Sequence, residues 1–184
     1  MKLLKILMLF VVMSVSAPLL ASPTCSKTKY KLLDKTVSFG MSLGRAEEAL
    51  KAKYQSQARI FQQRNFLIVD FHRPVNNLGK IFYLAINDKI TRIMFSYSND
   101  FTVNFGGTDN LFSAVFEKMQ GAYGKAKDAS YDDDASKAKV FWGSDNGAVL
   151  QLIGDNETIE VRVDCNALEE EAKAQRAKSV NFGF

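Results

Sequence analysis

The sequence predicts an α+β protein, with two tandem helix-plus-three-strand antiparallel units packed as one domain and a C-terminal surface helix. Three observations predict it. The stretch Lys137–Cys165 splits into three apolar runs at two polar turns, Gly143–Gly147 and Gly154–Glu157, the pattern of an antiparallel meander. Its last run alternates. Ile159, Val161, Val163 and Cys165 point one way and Thr158, Glu160, Arg162 and Asp164 the other, so one sheet face is expected to be buried and one wet. An apolar stripe at helical spacing precedes each group of strands, so each unit brings a helix to cover its sheet.

Taken in order, residues 1–21 read as a Sec-type signal peptide. Lys2 and Lys5 give a basic start, Ile6 to Val15 an apolar run, and small residues with Pro18 lead to cleavage after Ala21. The run is shorter than the ~20 apolar residues a bilayer requires, so no stable membrane span is expected once it is removed. Residues 22–165 are expected to form the single domain. Ser22–Lys35 is a polar lead-in and Thr36–Gly40 a short strand. The first unit, residues 36–97, holds a helix capped by Ser42 with Leu43, Ala46, Leu50 and Tyr54 on one face. Ala58–Gln63 and Asn65–Phe71 read as two strands or one bent one. Lys80–Ile86 and Lys89–Tyr97 are strands joined at Asn87-Asp88.

The second unit, residues 101–165, opens with a linking strand at Phe101–Phe105. A helix capped by Thr108 or Asp109 follows, with Phe112, Val115, Phe116, Met119 and Tyr123 as its stripe and Gly124 as its stop. Lys125–Lys137 reads as a polar loop before the meander. Residues 166–184 form a charged helix, Asn166–Lys178, with a weak stripe at Leu168 and Ala172, then a tail with apolar residues at alternate positions: Val180, Phe182 and Phe184.

The formal net charge of +4 includes Lys2 and Lys5 of the signal segment. What remains is too small to make an electrostatic case for nucleic acid as a partner. The chain contains two cysteines, Cys25 and Cys165. An even pair in an exported chain points to an intramolecular bridge, ahead of two separate thiols, a lipidated Cys25 or intermolecular pairing.

The stretch Ser38-Phe39-Gly40-Met41-Ser42, leading into Arg45-Ala46-Glu47-Glu48-Ala49-Leu50, resembles the helix start of the small outer-membrane assembly lipoprotein fold, the SmpA/OmlA type. Helix-plus-meander units in tandem are also similar to the secreted β-lactamase-inhibitory proteins. The resemblance covers about a dozen residues by motif and the rest by architecture alone. The chain lacks a lipobox before Cys25, and Lys51–Tyr54 lacks the leucine-glycine-x-proline ending of the first family. What the resemblance implies is a periplasmic interaction module, with no functional residue carried over.

Catalytic chemistry finds little material. His72 is the one histidine. Asp70 shares its face on a strand, yet no nucleophile-elbow motif is present. One histidine and a bridged cysteine pair cannot assemble a zinc site. Asp128 and Asp132–Asp134 lack the spacing and turn glycine of a calcium loop, and the glycines near Gly40 and Gly106 lack a phosphate-binding lysine. No cofactor, no metal and no enzymatic activity are expected. The expected function is binding of another envelope protein, from the periplasm or after secretion. An inhibitor or immunity protein acting on an enzyme, and a small-ligand carrier or hydrolase, are the alternatives.

The expected surface for a partner comprises Trp142, Glu160, Arg162, Asp164, Phe182 and Phe184. The chain holds 14 phenylalanines. Phe61, Phe66, Phe71, Phe82, Phe95 and Phe101 cannot all be placed inside by alternation, so an exposed aromatic patch competes with a phenylalanine-rich core.

Overall fold

A computed structural model describes residues 25, 28–30, 36–98, 111–132, 137–154 and 158–180. The signal segment, the linking strand expected at Phe101–Phe105, the helix cap at Thr108 or Asp109, and Phe182 and Phe184 lie outside these residues. The first unit runs α1 (Leu43–Tyr54), β1 (Ala58–Gln63), β2 (Phe66–Val75), β3 (Leu78–Ile86) and β4 (Lys89–Ser98). The second runs α2 (Leu111–Tyr123), β5 (Asp128–Asp132), β6 (Lys137–Asp145), β7 (Ala148–Gly154) and β8 (Thr158–Cys165), followed by α3 (Asn166–Val180). The α+β class holds. The strands make one antiparallel sheet in the order β1-β2-β3-β4-β8-β7-β6-β5. β4 and β8 pair at its centre, so the two units share one continuous sheet.

Each unit contributes four strands rather than three. In the first, Arg64 takes a positive φ of 54° and turns the chain between β1 and β2. In the second, β5 forms within the stretch expected as a polar loop. It is an edge strand, bonded on one side by β6. Its polarity suits a position where one backbone edge stays in water and little apolar surface is required. Thr36–Gly40 is a bend and turn rather than a strand. Gly40, at φ 80°, donates its N–H to the Ile90 carbonyl at 2.8 Å.

The hairpin turns follow from asparagine. Asn76-Asn77, Asn87-Asp88 and Asn146-Gly147 have both central φ angles positive. That is the primed turn whose twist matches the flanking strands, and Asn, Asp and Gly tolerate it best. Pro74 lies where β2 shifts register against β3, between Asp70 and Val75, as expected of a residue with no N–H for the ladder. The Asn87-Asp88 turn also anchors α1. Asp88 Oδ1 accepts from Leu43 N at 3.1 Å, and Ser42 Oγ accepts from Arg45 N at 3.4 Å. Two orphan donors of the helix start are thereby met.

All three helices feed one core. Leu43, Ala46 and Leu50 of α1, Leu111, Val115 and Met119 of α2, and Leu168 of α3 are buried with one side of the sheet: Val69, Ile81, Tyr83, Phe95, Leu152 and Val161 among others. The weak stripe of α3 suffices to dock it, with Leu168 and Ala172 both buried. Cys25 is bonded to Cys165 across a sequence separation of 140, both fully buried. A bond of this kind persists in oxidising compartments. Among the described residues no helix is long and apolar enough to cross a membrane.

The bond delivers a short N-terminal segment to the second unit. Lys29 N donates to Asp145 Oδ2 at 2.6 Å, and Tyr30 packs edge-on against Tyr123 at 5.8 Å. Burial, and secondarily the neighbouring Tyr123 phenol, push the Tyr97 phenol up to about 12 from its ordinary 10.0. Burial also raises Tyr30, with Asp145 adding to the shift, and Tyr123. A phenol whose pKa is higher in the folded state holds its proton after the unfolded chain has lost it. Stability from this group is therefore complete below about pH 10 and falls as pH rises towards 12. We expect Tyr97→Phe to abolish up to about 2 kcal/mol of the alkaline loss of stability between pH 9 and 12. Urea unfolding across that range measures it. An unchanged alkaline slope in the variant would assign the loss to other groups.

Candidate functional site

The register of the strands determines which side chains share the side opposite the helices. Three rows cross the sheet. The first runs Arg59, Asp70, Lys80, Ser96, Glu160, Ile153, Lys139 and Ser130 from β1 to β5. The second runs Phe61, Ile68, Phe82, Met94, Arg162, Gln151, Phe141 and Asp128. The third runs Gln63, Phe66, Leu84, Arg92, Asp164 and Val149, ending at Ser144. The buried residues of α1 and α2 belong to the core on the other side, and α3 reaches the third row of this face, where Glu169 lies 3.9 Å from Arg92.

The rows contain a contiguous apolar patch on the first unit: Phe61, Phe66, Ile68, Phe82, Leu84 and Met94. None of the six belongs to the main core. Ile68 and Met94, at the centre, are buried, while the other four are half-buried. Arg59 lies over the Phe61 ring at 4.6 Å. The second unit presents a sparser set of apolar residues, Phe141, Val149 and Ile153, all half-buried.

The charges in the middle of the face neutralise one another. Lys80 pairs with Asp70 at 3.7 Å and Arg162 with Glu160 at 2.6 Å. Arg92 Nε donates to Asp164 Oδ1 and its Nη2 lies 3.9 Å from Glu169 of α3. Arg59 and Lys139 make no ion pair among the described residues. Lys139 lines a shallow depression of about 280 Å³ with Asp128, Ser130, Phe141 and Gln151.

The expected partner surface is thus redistributed. Glu160 and Arg162 do lie on the open face. Trp142 does not. It is 3% exposed, donates Nε1–H to the Gly124 carbonyl at 2.8 Å and packs against Phe116 at 5.8 Å. A one-residue register shift between Phe141 and Gly143 accompanies its inward position. Asp164 sits in the right row yet is buried, holding Arg92 and through it α3. The aromatic patch lies on β1 to β4, and Phe61, Phe66 and Phe82 are among the phenylalanines that alternation alone could not place inside. Its signal was available: Phe66-Leu67-Ile68-Val69 is apolar without alternation, and in an antiparallel sheet that means two apolar faces.

His72 is exposed at the end of β2. It lines a second depression of about 280 Å³ with Ser56, Gln57, Phe71, Arg73 and Val75, and no carboxylate is among these residues. Asp70 is engaged by Lys80. Among the described residues, no three histidines, cysteines or carboxylates are grouped to hold a metal ion.

Compared with known protein families, with curated proteins and with solved structures, the chain matches none.

Proposed function

We propose that the protein is an exported, non-enzymatic module of the bacterial envelope that binds another protein through the face of its sheet opposite α1 and α2. One observation carries this reading. Six apolar side chains, from four adjacent strands, are gathered outside the core on the face opposite α1 and α2. Contiguous apolar surface on the outside of a folded chain is the usual mark of a contact site. Periplasmic export supplies the oxidising setting for Cys25–Cys165 and is supported by the basic and apolar pattern of residues 1–21.

The face has the extent of a protein contact. Eight strands at about 4.8 Å spacing and three side-chain rows span on the order of 700 Å². A standard interface buries about 800 Å² per partner. An inhibitor or immunity protein that covers an enzyme would use the same surface, and the broad open sheet favours that alternative over a ligand carrier.

A photo-reactive benzoylphenylalanine at position 82, introduced in the living host, tests the proposal. We expect discrete protein adducts from position 82 and none from position 53 on the exposed side of α1. Adducts restricted to lipid or metabolite at position 82 would end the protein-binding reading. Phe82→Glu is expected to lower adducts formed from position 94 at least tenfold, with a stability loss of about 2 kcal/mol because Phe82 is half-buried and lies outside the core.

A further inference from the structure

We infer that the outer edge of β1 is a strand-docking site, and that it takes an extended segment of another protein in which carboxylates alternate with apolar residues. The site lies on the rim of the sheet. It does not depend on the face opposite α1 and α2 being a contact surface.

β1 is a terminal strand of the sheet. His72 N donates to the Gln57 carbonyl at 3.0 Å. These two residues stand opposite one another when the β1–β2 register is continued by one residue beyond Ala58 and Phe71. In an antiparallel ladder, pairs that exchange hydrogen bonds alternate with pairs that do not. Arg59, Phe61 and Gln63 therefore bond inwards to β2. Ala58, Ile60 and Gln62 turn their N–H and C=O groups outwards, and no described residue hydrogen-bonds to those groups.

The strand also lacks the devices that usually blunt an edge. It pairs with β2 residue for residue from Ala58 to Gln63, with no shift of register, and it contains neither proline nor lysine. A row of unpaired backbone groups on a regular strand is a template for one more strand. β5, at the opposite rim, is shorter and has an aspartate at each end, Asp128 and Asp132.

Charge selects the occupant. β1 carries Arg59 and no carboxylate. Asp70, opposite Arg59 in register, is engaged by Lys80 at 3.7 Å, and Arg59 is exposed over the Phe61 ring. Arg64 is exposed in the turn that follows β1. The depression at the start of the strand is lined by His72 and Arg73 and by no carboxylate. An edge of this sign repels a basic strand and attracts an acidic one. A docked strand alternates its side chains. Those on one side lie beside Arg59, whose planar guanidinium pairs with a carboxylate. Those on the other lie beside Ile60, half-buried against the core, where an apolar residue fits.

Amide exchange by NMR, on the protein as its host produces it with the disulfide intact, is the test. The probe is a short capped peptide of alternating glutamate and valine. At saturation we expect it to slow exchange of the Ala58, Ile60 and Gln62 amides by about tenfold or more, and to leave the β5 amides unchanged. Gln62→Pro removes an outward N–H and no bond to β2, a place where an edge strand tolerates proline. It should weaken the peptide by about tenfold or more, and so should Arg59→Glu, at an exposed position where folding is not at risk. The amide spectrum of each variant establishes that it is folded. Unprotected β1 amides, protection at β5 instead, or undiminished binding by folded Gln62→Pro overturns the docking edge. A peptide with lysine in place of glutamate that binds as tightly overturns the acidic occupant.

Discussion

Replacing Cys25 and Cys165 together by alanine is expected to lower the unfolding free energy by about 5 kcal/mol. The bond closes a loop with a sequence separation of 140, and the loss of chain entropy in the unfolded state grows with the logarithm of loop length. Both sulfur atoms are buried, so the folded state also loses contacts, including that between Cys25 and the Asn146-Gly147 hairpin, where Sγ lies 3.6 Å from the position a Cβ on Gly147 would occupy. Without the bond, the segment around Tyr30 is held mainly by its ring contact with Tyr123 and the Lys29–Asp145 hydrogen bond. Urea unfolding of the oxidised parent and the double variant measures the difference. The slope of free energy against urea should also rise in the variant, because an uncrosslinked unfolded chain exposes more surface. A loss below about 1 kcal/mol would mean that the unfolded state is already held compact near these residues.

The same substitution should leave partner binding intact at temperatures where the variant is folded. Cys165 shares its side of β8 with Ile159, Val161 and Val163, which are in the core. Glu160 and Arg162 occupy the other side. The disulfide thus stabilises the sheet from the helix side and contributes no atom to the open face. Stability and binding are separable here because a strand alternates its side chains.

Much of this was readable before any coordinates. The meander at Lys137–Cys165 has its three strands where alternation put them, although β6 runs on to Asp145 and narrows the turn expected at Gly143–Gly147 to Asn146-Gly147, and the cysteine pairing followed from number and the expected export. Ser42 was legible as a cap because a hydroxyl before an apolar stripe has one common use. What alternation could not supply was the partner of each strand. The central pairing of β4 with β8 joins residues 92–98 to 158–164, and no local pattern encodes a contact that distant in sequence. β5 was missed because an edge strand needs little apolar content. Trp142 was misplaced because alternation sets Phe141 and Trp142 on opposite faces without saying which face is the core; Trp142 shares the core side with Val140. Asp164 looked like surface on its row and is instead a buried carboxylate matched to Arg92, a partner 72 residues away in the chain. The aromatic patch required both facts at once, the apolar runs in β2 and β3 and the knowledge that α1 and α2 lie on the other side.

That two-sidedness yields the second large prediction. Phe95→Ala is expected to cost about 3–5 kcal/mol, the usual loss for a large aromatic removed from a packed interior. Phe95 lies in β4, next to Met94, paired with Ile81 and Val161, and is 1% exposed. Phe82 lies in the adjacent strand, paired with Met94, and points the opposite way. Its removal as Phe82→Ala takes away a half-buried ring outside the core, and about 1–2 kcal/mol bounds the loss. Two phenylalanines one strand apart should therefore differ severalfold in stability cost and in the opposite order for binding. Phe95→Ala should bind normally wherever it is folded, and Phe82→Ala should bind poorly while nearly as stable as the parent. Parallel urea unfolding and cross-linking of the two variants decides this. Equal stability costs would mean that both sides of the sheet are equally covered, leaving no open face for a partner.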